Sequence, residues 1–133
     1  MADAAWALQQ AVYAVLTGDA ALMAMISGVH DHVPAETAFP YVTIGAVTAV
    51  DRSTMAKDGQ VHTVTLHTWS RGRGRKEAKE IMAAIHGLLH RGALSVAGHA
   101  HAGTMFEFAE TLLDPDGLTY HGVQRFRTVT FSG

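Results

Sequence analysis

The sequence predicts an α+β fold, an antiparallel or mixed sheet of four to five strands with helices packed on one face. Three observations support it. Residues 61–69 (VHTVTLHTW) are rich in the β-branched and aromatic side chains that suit a pleated, half-buried surface. After a break at residues 70–74, Ala78, Ile81, Met82, Ile85, Leu88 and Leu89 fall at the i, i+3, i+4, i+7 spacing of one buried helical stripe. Finally, Asp114-Pro-Asp-Gly117 sets a proline in turn geometry and leaves a glycine free to take positive φ, so the strand over 118–131 should fold back antiparallel on the one before it. Neither the stripe nor the strands can stay in water alone, so they share one core.

The remaining elements follow in chain order. Trp6, Leu8, Val12, Val15 and Leu16 repeat helically among alanines over residues 3–17. Asp19 then caps a short second helix over 20–26, which ends at Ser27-Gly28. The stretch 29–34 is extended, because the residue before Pro34 is pushed out of the helical region. Over 41–50, Val42, Ile44 and Ala46 alternate inward against Tyr41, Thr43 and Gly45. The central helix stops at Gly92. Over 104–113, Phe106, Phe108 and Leu112 share one face opposite Glu107 and Thr111, with Glu110 breaking the inner row. Alternation in the last strand changes phase near His121 and Gly122, which predicts a bulge or a sheet edge there.

At 133 residues and 48% hydrophobic content the chain, residues 1–133, is expected to form a single domain around one core. No apolar run approaches the roughly 20 residues that span a bilayer, and the first residues lack the basic start of a secretory signal, so a soluble protein made in the cytoplasm is expected. Cysteine is absent, which removes disulfides, thiolate metal sites and cysteine nucleophiles together. The net charge of −2 conceals a polarity: residues 1–51 carry five acids and no base, whereas the rest carries ten bases against seven acids. Such a chain is suited to placing the acidic side of one copy against the basic side of the next.

Chemistry is harder to assemble. Nine histidines invite a metal hypothesis, and His86 with His90, His30 with His32 and His99 with His101 could each supply two ligands. None lies in a His-Glu-x-x-His arrangement, and the bland reading of solvated or core-edge histidines is preferred. The run Arg71-Gly-Arg-Gly-Arg-Lys76 stands at a helix N-terminus, where free N–H groups favour anions, but it lacks the spacing of a nucleotide-binding loop. Cations there oppose the helix dipole, so an anionic partner is expected for Arg71, Arg73, Arg75 and Lys76. A merely solvated basic loop is the competing reading. No serine sits in a nucleophile-elbow context. No catalytic, cofactor or metal site is assigned. Residues 51–60 are polar, without hydrophobic periodicity and with no evident means of ordering themselves, so they are read as mobile or held by a partner.

Several segments together carry a resemblance: LQQAVYAVL at 8–16, GDAAL at 18–22, VHDHVP at 29–34, FPYVTIG at 39–45, Trp69-Ser-Arg71 with Gly74 and Glu77-Ala78, and Asp114-Pro-Asp-Gly117 with Tyr120-His-Gly122. In this order and spacing they resemble the tail-completion, or tail-terminator, family of siphophages, prophages and gene transfer agents, across about residues 8–130. The resemblance implies a fold similar to lambda-like tail terminators and a structural subunit of the virion or phage-like particle, with no enzymatic activity. Such subunits, assembled in the bacterial cytoplasm, form a homo-hexameric ring that caps the tail tube protein and docks to a head neck or stopper protein. DNA only passes through the channel, and no membrane is involved. On this reading Asp51, Arg52, Ser53, Thr54, Met55, Lys57 and Asp58 meet the tube or neck, and Arg71, Arg73, Arg75 and Lys76 meet a neighbouring subunit or the channel. Another neck or tail-tube ring component and a histidine-based metal-binding protein stand as alternatives.

Overall fold

In the computed structural model of the chain, which describes residues 3–132, helices cover one face of a six-stranded mixed sheet. The elements run α1 (Ala5–Thr17), α2 (Ala20–Met23), β1 (Val29–His30), β2 (Tyr41–Val47), β3 (Val50–Asp51), β4 (Gly59–Ser70), α3 (Lys76–Leu89), β5 (His99–Leu113) and β6 (Tyr120–Ser132). The strand order is β1-β2-β4-β6-β5, with β3 also pairing β4. The sheet has six strands against four to five expected: β1 lies in the stretch read as extended from residue 29, whereas β3 is two residues long, too short for a side-chain period to reveal. β1 joins β2 in parallel, and the other pairings are antiparallel.

The link from β4 through α3 to β5 is a split crossover. β5 runs in the direction of β4, and β6 lies between them, in register with β4 from Gly59↔Phe131 to Ser70↔Tyr120. This corrects the expectation of a bulge or edge near His121: β6 is an interior strand paired continuously on the β4 side. The phase change there reflects Gly122, where a Cβ would collide with the Met82 sulfur of α3. A glycine lets the helix approach the sheet.

The bulges lie elsewhere. In β2 the register shifts between Ile44 and Val47, so Val42 and Ile44 are buried as expected, but Ala46 is exposed and Val47 packs on the core in its place. In β5 a shift between Phe106 and Phe108 separates two residues expected on one face. Phe106 pairs with the buried Phe126 and packs on the core, whereas Phe108 pairs with Arg125 on the opposite face. Thr111 consequently turns to the helices, with its hydroxyl 3.8 Å from Met82 Sδ, and Leu112 is exposed.

The core is one cluster. Leu8, Val12 and Leu16 of α1 and Ile81, Ile85 and Leu89 of α3 meet Val42, Ile44, Val64, Leu66 and Phe126 of the sheet. Asp19 caps α2 as expected, its carboxylate accepting from Leu22 N at 2.9 Å, but the helix ends at Met23 instead of reaching residue 26. The end of α3 is also earlier than Gly92. His90 leaves helical geometry because its ring Nδ1 accepts from Phe106 N at 3.0 Å, while Arg91 N donates to Thr104 O at 2.7 Å. These two bonds tie the helix end to the outer side of β5.

Candidate functional site

The stretch 51–60 is ordered by itself, which corrects the reading of a loop dependent on a partner. It forms the tip of the β3–β4 hairpin: Arg52 N donates to Gly59 O at 2.7 Å, and Thr54 N to Lys57 O at 2.8 Å. Ser53 is its internal tie, its hydroxyl donating to Asp51 Oδ1 at 2.7 Å and accepting from Gly59 N at 3.1 Å. A serine bonding neighbouring backbone supplies the order that a polar sequence seemed to lack. The base of the loop is fixed by Ser132 N donating to Asp58 O at 2.9 Å and by Lys57 Nζ, 5.6 Å from the Phe131 ring centroid. Met55 stands at the tip, fully exposed.

The basic run lies at the other end of β4. Ser70 donates to Glu77 Oε1 at 2.6 Å and accepts from Gly72 N at 3.1 Å, so the turn into α3 is closed by the chain's own groups, with Glu77 in the first helical turn where an acid suits the dipole. Arg71 is occupied internally. Its Nε donates to Thr119 Oγ1 at 3.1 Å, its guanidinium lies 4.3 Å from the Phe39 ring centroid, and Asp116 Oδ2 is 3.9 Å from Nη2. Backbone N–H groups of Thr119 and Leu118, the Thr119 hydroxyl and Arg71 hold the Asp116 carboxyl down at about 2. Lys76 pairs with Glu80 at 3.8 Å, and Arg75 lies over Tyr120 with a 3.5 Å bond to Thr111 O. Arg73 is exposed and makes no ion pair or hydrogen bond among the described residues.

The two stretches are therefore brought apart, not together. They sit at opposite ends of a strand of 12 residues, a separation of roughly 36 Å at the usual rise per residue.

Sequence reasoning missed the sheet face away from the helices. There Trp69 stacks on His121 with ring centroids 3.9 Å apart and planes at 10°, and Tyr41 and His67 flank Trp69 at 6.4 and 6.0 Å. His67 Nδ1 lies 2.7 Å from His121 Nε2. Gly45 makes room for this pair, since a Cβ there would stand 2.6 Å from His67 Nε2. Burial lowers the pKa of both imidazoles; His121 and then Arg125 lower that of His67 further, while Asp114 opposes the shift at His121. Toward β5 the same face carries Met105, Phe108 and Leu112, all substantially exposed. The usable signal was the odd-numbered row of each strand, His67 with Trp69 and His121 with Arg125, but only the β4–β6 register joins the rows.

The helical pair His86 and His90 proves to be a ring stack, 4.8 Å between centroids, against Phe106. Among the described residues no group of three or more histidines and acids is placed to hold a metal ion. His62, wholly buried, spends both ring nitrogens on Thr48 O at 3.1 Å and Thr130 Oγ1 at 2.9 Å. No helix among the described residues is long and apolar enough to cross a membrane.

Comparison with known proteins agrees with this geometry. Tail completion protein gp17 of Bacillus phage SPP1 is 29% identical over 121 residues, which cover 91% of this chain and 90% of that protein. Among solved structures, a chain in the virion of a native gene transfer agent particle superposes with a TM-score of 0.90 at 27% identity, covering 99% of this chain and 100% of the other. The structure of SPP1 gp17 itself gives 0.62 at 27% identity, covering 94% and 89%. The sequence model of tail completion protein gp17 matches residues 10–130, so that the chain, α+β in fold and built around a hairpin tip and a basic turn at opposite ends of one strand, belongs to the tail completion protein gp17 family.

Proposed function

We propose that this chain is a structural subunit that ends the tail tube of a phage-like particle and joins it to the head. The observation carrying the reading is the near-complete superposition, TM-score 0.90 over 99% of the chain, on a protein within a gene transfer agent virion. The subunits close into a ring, six in number, and act by contact, with no chemistry at any site. One end of β4 presents Asp51, Arg52, Ser53, Thr54, Met55, Lys57 and Asp58 to the tube or neck. The other end presents Arg73, backed by Arg71, Arg75 and Lys76, to the adjacent subunit or the channel. The five acids and no base of residues 1–51 support the second assignment, because opposite charges steer a head-to-tail contact.

Electron microscopy of particles made with and without the protein tests this. Without it, tails of uncontrolled length and unattached heads are expected, and labelled protein should appear as a ring at the head-proximal end of the tube. Normal joined particles lacking the subunit would refute the role.

A further inference from the structure

The groove between α3 and the outer side of β5 has the parts of a strand-accepting site. Up to the bulge, the outer side of β5 is closed by the bonds from Phe106 N to His90 and from Arg91 N to Thr104 O. Past the bulge it is open. Thr111 O points outward, reaching only the Arg75 Nε at 3.5 Å, so by alternation Ala109 and Leu113 also direct their N–H and C=O groups away from β6. Among the described residues no main-chain bond from outside the sheet reaches 107–113. An unpaired strand edge of this kind is a template for another strand.

Beside that edge lies a groove of about 540 Å³. Met82 and Phe106 give it apolar surface, and Arg75 and Lys79 bring two cations to its rim. At its base Gln124, 2% exposed, donates Nε2 to Met82 O at 2.8 Å. That bond fixes which end of the amide is nitrogen, and the oxygen at the other end, buried, has no partner. A buried acceptor without a donor is rare enough to mark a place where a donor arrives.

We infer that this groove receives an extended, acidic segment of a partner protein, which adds as a further strand beside residues 109–113. Main-chain bonds to Ala109, Thr111 and Leu113 give affinity, apolar side chains of the segment pack on Met82 and Phe106, and its carboxylates pair with Arg75 and Lys79. Arg75 gives up its long bond to Thr111 O, and a hydroxyl or amide of the segment supplies the donor to Gln124 Oε1. The inference stands without the proposed place in the particle, since a strand-accepting edge is a property of the fold.

The probe is a blocked seven-residue peptide, Val-Thr-Asp-Thr-Val-Thr-Asp, whose valines and aspartates fall on one face of an extended strand, titrated to about 1 mM into the full-length isotope-labelled protein, with amide hydrogen exchange followed residue by residue. Slower exchange at Ala109, Thr111 and Leu113 is expected. A peptide with lysine replacing aspartate, and the protein variant Arg75→Glu/Lys79→Glu, should each weaken binding about tenfold or more. The same acidic peptide N-methylated on alternate amides should not bind. Unchanged exchange at these three amides, equal binding of the N-methylated peptide, or protection mapping elsewhere would overturn the inference.

Discussion

His67 and His121 meet ring to ring across the β4–β6 pairing, with 2.7 Å between Nδ1 of the first and Nε2 of the second, the distance of a hydrogen bond. Asp114 Oδ1, 4.0 Å from His121 Nδ1, favours a proton on that nitrogen, which leaves Nε2 to accept from His67. A second proton would put two charges side by side beneath Trp69 and near Arg125. Both imidazoles therefore ionise below their ordinary value of 6.5, as do His62 and His101, in each case with burial as the leading cause.

The stability consequence has a definite sign. These histidines bind protons more readily unfolded, so their contribution is complete above 6.5 and is lost as pH falls from there through their folded values. Denaturation midpoints measured downward from neutral pH should fall, and His121→Gln, which keeps a neutral partner for His67, should flatten the slope. A midpoint that rose on mild acidification would contradict the pairing.

Gly45→Val tests the same pair from the side. A side chain at this position meets His67 Nε2 at 2.6 Å and Thr65 O at 3.2 Å, so the ring must leave its partner. A loss of about 1–3 kcal/mol is expected by urea denaturation, together with a reduced histidine pH slope.

In the core, Phe126→Ala empties the place where the fully buried ring meets Phe106 edge-on at 5.9 Å. The expected cost is about 3–5 kcal/mol, read by urea denaturation. Phe108→Ala, on the open face two residues from Phe106, should cost well under half as much.

The hairpin tip separates folding from assembly. Replacing Thr54–Lys57 by Asn-Gly shortens the tip to a two-residue turn of the type that hairpins favour. Folded stability should change little, by about 1 kcal/mol or less, while particles fail to join heads to tails. Normal joining in a complementation assay would remove the tip, and Met55 with it, from the contact surface.

The arginines of the basic turn should divide. Arg71→Ala removes the bond to Thr119 and the packing on Phe39 and should cost about 1 kcal/mol, little of it from the half-exposed Asp116 pair. Arg73→Glu should leave the unfolding transition where it is and weaken ring formation, measured by light scattering.

Local periodicity was enough to place β4, the stripe of α3, the Asp19 cap and the turn at Asp114. Each depends on residues a few positions apart. The errors share a different cause. Ala46 faces out and Phe108 leaves the Phe106 face because bulges are settled by the partner strand, and β6 is interior because α3 carries the chain past its place and the turn after β5 brings it back. Ser53 orders its loop through bonds that composition cannot display. The candidate surfaces followed suit: the charged stretches were visible as runs, whereas the His67–His121 pair and the Gln124 groove exist only once strands lie side by side.

The position of β6 also sets when the molecule can become itself during synthesis. Until residues 120–132 leave the ribosome, β4 and β5 flank an empty slot, and the hydroxyl of Thr104 and the ring of His62 await Thr128 and Thr130. Pairings so distant in sequence form slowly. The thirteen-residue β6 thus acts as a latch on folding: the sheet stays split between β4 and β5 until this strand slides in and closes both seams at once.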